Sequence, residues 1–328
     1  MAKIGVLDGI DRALVHALQI DGRVPFRRVA EVIGTSEHTI GRRYRRLRSQ
    51  GLLRVVGMLD GTRFGRVSWA VRLVCTPDAA RPVAEALARR EDTVWVRLLS
   101  GGTEIACGVQ AGEEGDDLLL KRLPRTPRIA SMSAHATLHM FAGWRSRTAP
   151  LSEEQVARLR PDPLDDEHEI DLSGEDHALL RVLAQDGRAG LGELAAAAGC
   201  SQTTARRRLE QLRAAGALRL DVEIPAQVLG YHAEAWLWMK VEPRALTAVG
   251  AAMAGHAEAD VVAATTGPAN LMAGVTCRDT RALYRYLTER VAPLSGVIEV
   301  ETAPVIRTIK RAGALLPATP LPGVALSS

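Results

Sequence analysis

Aromatic residues are scarce in this sequence: five Trp, four Tyr and three Phe, 4% of 328 positions. Its core must come mainly from Leu, Val, Ile and Ala, a composition that fits a helix-rich protein. Cysteines are few and unpaired. Cys75, Cys107, Cys200 and Cys277 form no Cys-x-x-Cys pair, so neither a disulfide framework nor a thiolate metal site is expected. They read as small buried side chains. No apolar run reaches the roughly 18 residues of a transmembrane helix, so no membrane partner is expected. Met1–Gly9 lacks the basic start and apolar centre of a signal peptide, and the expected location is cytoplasmic. There is no P-loop, no Gly-x-Gly-x-x-Gly after a strand, no Gly-x-Ser-x-Gly and no His-Glu-x-x-His. The sequence therefore points away from an enzyme, with no catalytic residue, no metal and no cofactor.

What is present is charge in one place. The net charge is only +4, but Leu7–Arg66 holds twelve basic and six acidic residues. Most of that excess falls within or just after Ser36–Leu53, which reads as a single helix with Ser36 as its cap and Gly51 as its stop. Ile40, Tyr44 and Leu47 recur at i, i+4 and i+7 and form one apolar stripe. The opposite face carries His38, Arg42, Arg45 and Ser49, with Thr39 and Arg46 on one flank. One side suits a core and the other something negatively charged.

The stretch is built twice. A shift of 165 residues aligns Leu7–Gly65 with Leu172–Gly230 without a gap, with 21 identities in 59 positions. They include Asp21-Gly22-Arg23 and Asp186-Gly187-Arg188, Ser36 and Ser201, Thr39 and Thr204, Arg42-Arg43 and Arg207-Arg208, and Gly51 and Gly216. Each copy predicts three helices. In the first they span about 8–19, 25–33 (with Pro25 in the opening turn) and 36–53, and a strand over Leu52–Leu59 follows. Two helices behind a short Gly-containing turn are the helix-turn-helix arrangement.

The segments that follow also match. Strand, helix, strand, strand, helix, strand are predicted over Ser68–Cys75, Asp78–Arg90, Val94–Leu99, Ile105–Gln110, Asp116–Leu123 and Ile129–Phe141. The same order recurs over Ala233–Val241, Ala245–His256, Val261–Thr265, Leu271–Thr276, Thr280–Val291 and Val297–Thr308. That is the βαββαβ split unit. Between the halves, Leu151–Asp176 has ten acidic and two basic residues and reads as a solvated linker, in which Ser152 could cap a short helix. An acidic lid over the basic helices is the alternative use of this stretch.

A basic third helix behind such a turn fits the DNA major groove, which admits one helix. Arg can bond the O6 and N7 of guanine or pair with phosphate. His38, Arg42 and Arg45 would face the groove. Thr39, Arg46 and the helix start at Ser36 would face phosphates. Arg43 is nearer the core and reads as a phosphate or intraprotein partner. The second copy is weaker, with seven basic and seven acidic residues over Leu172–Gly230. Arg45 becomes Glu210 and Arg46 becomes Gln211. Ser201, Thr203, Thr204, Arg207 and Arg208 remain as DNA-contact candidates.

These motifs resemble the Lrp/AsnC, or feast/famine, transcription regulators. The family pattern Ser-x-x-Thr-[Val/Ile]-x-x-Arg-[apolar]-x-x-Leu-x-x-x-Gly is matched by Ser36, Thr39, Ile40, Arg43, Tyr44, Leu47 and Gly51. Ser201, Thr204, Arg208, Leu209, Leu212 and Gly216 match it again, with Ala205 in the place of Val or Ile. The resemblance implies an α+β chain of two complete units in tandem. Each is a winged helix-turn-helix domain followed by a ferredoxin-like βαββαβ effector and oligomerisation domain. The expected division is 1–60 and 66–143, an acidic linker 144–171, then 172–226 and 231–312, and a disordered tail 313–328. The resemblance also implies double-stranded DNA as partner, association with the bacterial nucleoid, homo-oligomers, and a small-molecule effector such as an amino acid or related metabolite. Pairing of the two effector domains within one chain, as a pseudo-dimer, is expected too. The family's effector site lies near a Gly-x-x-Asp turn, which here becomes Gly101 to Glu104 and Gly267 to Asn270. Asn270 has no charge to offer an α-amino group. Two other readings share this plan: a sirohaem-decarboxylase-like enzyme, whose His-Asn-Tyr stretch is missing here, and an oligomerisation partner that does not bind DNA.

Overall fold

The computed structural model describes residues 7–64, 66–110, 118–143, 150–161, 171–311 and 314–315. The start of the helix expected at Asp116, parts of the expected linker, and most of the expected tail lie outside the described residues.

Helices α1 (Gly9–Ile20), α2 (Phe26–Ile33) and α3 (Glu37–Ser49) form the first bundle. Asp8 and Asp11 close a reciprocal cap on α1. Pro25 precedes α2 as its cap rather than standing inside the first turn. Helix α3 ends at Ser49, shorter than the expected 36–53, because Gly51 takes the left-handed region at φ 66° and turns Leu53 into the core. Leu14, Leu18, Val29, Ile40 and Leu47 fill that core.

Strand β1 (Arg54–Leu59) leads out. The first βαββαβ unit follows as β2 (Ser68–Cys75), α4 (Ala80–Ala88), β3 (Thr93–Leu99), β4 (Glu104–Gln110), a wide helical turn at Leu118–Arg122, and β5 (Ile129–Ala142). Helix α5 (Glu153–Leu159) corrects the solvated-linker expectation for its part of the chain. Leu151 and Leu159 are buried against the first bundle, and Gln155 donates to the Val32 carbonyl at 2.8 Å. The helix packs on α1 and α2.

The second half repeats the order. Helices α6 (Gly174–Gln185), α7 (Leu191–Ala198) and α8 (Gln202–Ala214) precede β6 (Leu218–Glu223). Then come β7 (Ala233–Val241), α9 (Leu246–Ala254), β8 (Ala259–Thr265), β9 (Leu271–Cys277), α10 (Thr280–Arg285, widening through Val291), β10 (Val297–Arg311) and β11 (Ala314–Leu315). Ala314–Leu315, inside the stretch expected to be a disordered tail, pairs with β10.

The halves join at two levels. Below, eight strands close on themselves in the order β10-β3-β4-β2-β5-β8-β9-β7, with β7 returning to β10. The long strands make the closure. Residues 129–136 of β5 pair with β2 and residues 137–142 with β8. Residues 297–304 of β10 pair with β7 and residues 305–310 with β3. Trp95, Trp236, Trp238, Leu99 and Met272 fill the space between the two sheets, with Trp95 and Trp236 rings 4.7 Å apart.

Above, β1 pairs antiparallel with β6, Val56 opposite Asp221. The two Asp-Gly-Arg turns interlock beside this ribbon. Arg23 donates to the carbonyls of Gly187 (2.8 Å) and Ala189 (3.0 Å), and Arg188 to those of Gly22 (2.7 Å) and Val24 (3.1 Å). Arg48 pairs with Asp186 and Arg213 with Asp21, at 2.8 and 2.7 Å. Glu223 lies in the ribbon, 4% exposed, with Arg54 3.9 Å away. Among the described residues neither of its carboxylate oxygens accepts a hydrogen bond. Burial lifts its pKa from 4.5 to about 7 against the pull of Arg54 and Arg311.

Two outcomes follow. A methyl group at Gly22 would sit 2.8 Å from Leu220 Cβ and 2.9 Å from Val55 Cγ1, whereas one at Gly9 meets nothing within 4 Å. Gly22→Ala should lower the unfolding free energy in a urea titration by about 1–3 kcal/mol, and Gly9→Ala should not. Because the folded pKa of Glu223 is raised, the native state holds a proton that the unfolded chain releases. Stability from this group is full below the ordinary carboxylate range and falls as pH rises towards 7. Glu223→Gln should therefore stabilise the protein by about 2–3 kcal/mol at pH 8, with the gain gone at pH 4.

Candidate nucleic-acid interface

Helices α3 and α8 start alike. The Ser36 hydroxyl accepts from the Thr39 amide at 3.2 Å and that of Ser201 from Thr204 at 3.1 Å. The two hydroxyls of each pair lie 2.9 Å apart, so Thr39 and Thr204 take part in the caps.

The arginines of α3 divide into two sets. Arg43 binds Asp8 at 2.5 Å and Asp11 at 2.9 Å, and Arg46 binds Asp11 at 2.5 Å. Asp11 is 2% exposed, so these bridges anchor α3 to α1. Arg48 goes to Asp186 across the interlock. That leaves His38, Arg42 and Arg45 exposed on one face. Among the described residues the one polar partner of Arg45 is the Gly41 carbonyl, at 3.3 Å, and Arg42 has none. Arg46, expected at a phosphate, is thus held by α1, and Arg43 takes the intraprotein role of its two expected ones.

On α8, Arg208 repeats the Arg43 contact. It binds Asp176 in a fork, Nε to Oδ1 at 2.8 Å, and donates to the Asp171 carbonyl at 3.2 Å. Burial raises the pKa of Asp176, but the Arg208 and Ser173 hydrogen bonds outweigh it and bring the carboxyl down to about 2. Thr203, Arg206, Arg207, Glu210 and Gln211 are exposed. Helix α5 packs on α1 and α2, which does not place it as a lid over α3.

The four effector candidates lie in two turns that knit the halves together. Gly101 adopts φ 72° between β3 and β4. Glu104 is 5% exposed; it binds Arg72 Nε at 2.6 Å and accepts from Ser100 Oγ at 2.9 Å. Arg72 also bonds Glu301 of the second half at 2.8 Å. Gly267 adopts φ 98° and lies against the His135 ring of the first half. The Asn270 amide accepts from the Val241 N–H and donates to the Val241 carbonyl, both at 2.8 Å. Both side chains at the end of the pattern are committed to protein partners. The residues missed by sequence reasoning are Arg23 and Arg188. Their signal was present, since the Asp-Gly-Arg turn is identical in both copies, but a turn explained it at lower cost. Among the described residues no helix is long and apolar enough to cross a membrane, and no cluster of three or more His, Cys, Asp or Glu could hold a metal.

The family model for the AsnC-type helix-turn-helix domain matches residues 7–48 and 175–213, and that for the Lrp/AsnC ligand-binding domain matches residues 234–315. The chain carries AsnC-type helix-turn-helix and Lrp/AsnC ligand-binding domains. An uncharacterised HTH-type transcriptional regulator of Pyrococcus horikoshii is 28% identical over 145 residues, 44% of this chain and 91% of that protein. The HTH-type transcriptional regulator FL11 of the same organism is 25% identical over 142 residues, 43% of this chain and 93% of that protein. Two crystal structures of the siroheme decarboxylase NirDL, one in complex with an iron-uroporphyrin III analogue, share the fold. Their TM-scores are 0.61 and 0.58 at 14% identity, over 93% and 95% of both chains. At that identity the likeness is one of fold.

The anchored arginine of the second AsnC-type domain makes a stability test. Asp176→Asn should cost about 3 kcal/mol at pH 7, because it strips a half-buried guanidinium of its carboxylate. The pKa is depressed in the fold, so this stabilisation is present above the ordinary carboxylate range and fades as pH falls towards 2. Urea titrations of both proteins should therefore converge at low pH.

Proposed function

We propose that the chain is a sequence-specific DNA-binding transcription regulator made of two complete Lrp/AsnC-type units. In this reading the units pair within one chain, so that one chain equals a dimer. The observation that carries it is the division of charge on α3. Arg43, Arg46 and Arg48 are tied to carboxylates, while Arg42, Arg45 and His38 project together from the exposed face. A cationic face of this kind, on the third helix of a helix-turn-helix, suits the major groove. The relatives named as regulators each match less than half of this chain over nearly their whole length, which supports two units. The unit boundaries are 1–60 with 66–143 and 172–226 with 231–312, joined by 144–171.

His38, Arg42 and Arg45 read bases in this proposal. The amino ends of the two helices, at Ser36 with Thr39 and at Ser201 with Thr203 and Thr204, meet phosphates, as does Arg207. Arg43, Arg46 and Arg208 position the helices. The turns at Gly101 and Gly267 are the place for a small-molecule effector, with Glu104 and Asn270 shaping the turns rather than gripping the ligand. A nucleoid-associated location follows from DNA binding.

Replacing Arg42 and Arg45 with Ala should weaken operator binding by about 1–3 kcal/mol per lost bidentate contact and relax the base preference, as read by gel shift at fixed salt. Unchanged affinity would overturn the proposal.

A further inference from the structure

We infer that the DNA site of this chain is asymmetric, without an inverted repeat, read by one copy each of two unlike helices, α3 and α8. The inference rests on the DNA-binding reading above and specifies its partner.

The two exposed faces differ in chemistry. Helix α3 presents His38, Arg42 and Arg45; at the matching positions α8 presents Thr203, Arg207 and Glu210. Arginine suits the two acceptors of guanine, and a carboxylate suits the amino donor of cytosine while repelling phosphate. The helices therefore favour different base pairs.

Their mutual position is held by contacts that are nearly symmetric. Arg23 and Arg188 cross between the turns, Arg48 and Arg213 reach the opposite Asp, and β1 pairs with β6. The turn contacts alone would serve a pair of first halves or a pair of second halves equally well, but in the ribbon two first halves would set Val56 opposite Val56 and two second halves Asp221 opposite Asp221.

The contacts between the sheets are not symmetric. Arg97, 1% exposed, bonds Glu234 at 3.3 Å, and Arg72 bonds Glu301 at 2.8 Å. In both pairs the first half supplies the arginine and the second half the glutamate. Strand registers show what each half has at the other's position. Ser68 opposite Gln110 corresponds to Glu234 opposite Thr276. Ser133 opposite Arg72 corresponds to Glu301 opposite Trp238. Arg97 opposite Ala106 corresponds to Ala263 opposite Met272. Two first halves would set Arg97 against Ser68 and Arg72 against Ser133, with no carboxylate supplied across the interface. Two second halves would set Glu234 against Ala263, so that it loses the 3.3 Å contact with Arg97 and keeps only Arg311 of its own half, 3.8 Å away. Both like pairs break the buried Arg97–Glu234 contact, and removing one member of such a pair disfavours them. The favoured reading unit is thus α3 with α8. Operator symmetry follows protein symmetry, and this unit has none to impose at the base contacts.

The test is selection of bound duplexes from a randomised pool by the full chain, with Arg42→Ala and Glu210→Ala in parallel. Both side chains are exposed, so neither change disturbs the core. The expected motif lacks an inverted repeat. Arg42→Ala should reduce guanine enrichment about 5-fold or more in one half, and Glu210→Ala should relax cytosine preference only in the other. An inverted-repeat motif, or two variants that alter the same half, overturns the inference and leaves DNA binding intact. Retention of no duplex even at low salt removes the DNA-binding reading, and this inference with it.

Discussion

Carboxylate–guanidinium pairing between distant parts of the chain governs this structure at each level. Asp11 holds Arg43 and Arg46, and Asp176 holds Arg208, so each third helix is fixed to its own first helix. Asp21 and Asp186 hold Arg213 and Arg48, which fixes one bundle to the other. Glu234 and Glu301 hold Arg97 and Arg72 between the sheets. Arginine suits these places because its planar fork stays charged when buried and can satisfy two oxygens together. In a chain with few aromatic side chains, such pairs give direction to a core whose Leu, Val and Ala contacts are otherwise tolerant of rearrangement.

The same pairing separates structural from exposed charge. A row of arginines on α3 looks uniform in sequence, yet three of them are neutralised by acidic residues of α1 and the second bundle. The charge left over is small and confined to one face. This is why a net charge of +4 is compatible with a focused cationic surface, and why the second helix, with Glu210 in the corresponding place, presents a weaker one.

How much of this was legible depended on the range of the interactions. The stripe of Ile40, Tyr44 and Leu47 follows from helical periodicity, and all three are buried. The Ser36 and Ser201 caps follow from residues three positions away. The fates of Arg46 and Arg48 did not follow, because their partners Asp11 and Asp186 lie far off in sequence. Asn270 was visible as a departure from an acidic pattern. That it clips the backbone of Val241 depends on a strand pairing no local pattern announces. The linker misled for a related reason. Its acidic composition spoke for solvent, while Leu151, Val156 and Leu159 were too few to register as a packing face until α1 and α2 stood beside them.

The exchange of partners along β5 has a consequence during synthesis. Residues 137–142 pair with β8, which is completed only at Thr265. At about 5–20 residues per second, the ribosome needs roughly 6–25 s to make the intervening chain. Throughout that interval the nascent first half carries a bare strand edge, beside Leu138 and Met140, which stay exposed even in the finished fold. A fused chain shortens the wait by supplying its own second half in cis. It also makes the pace of translation between the two halves part of what determines the yield of native protein.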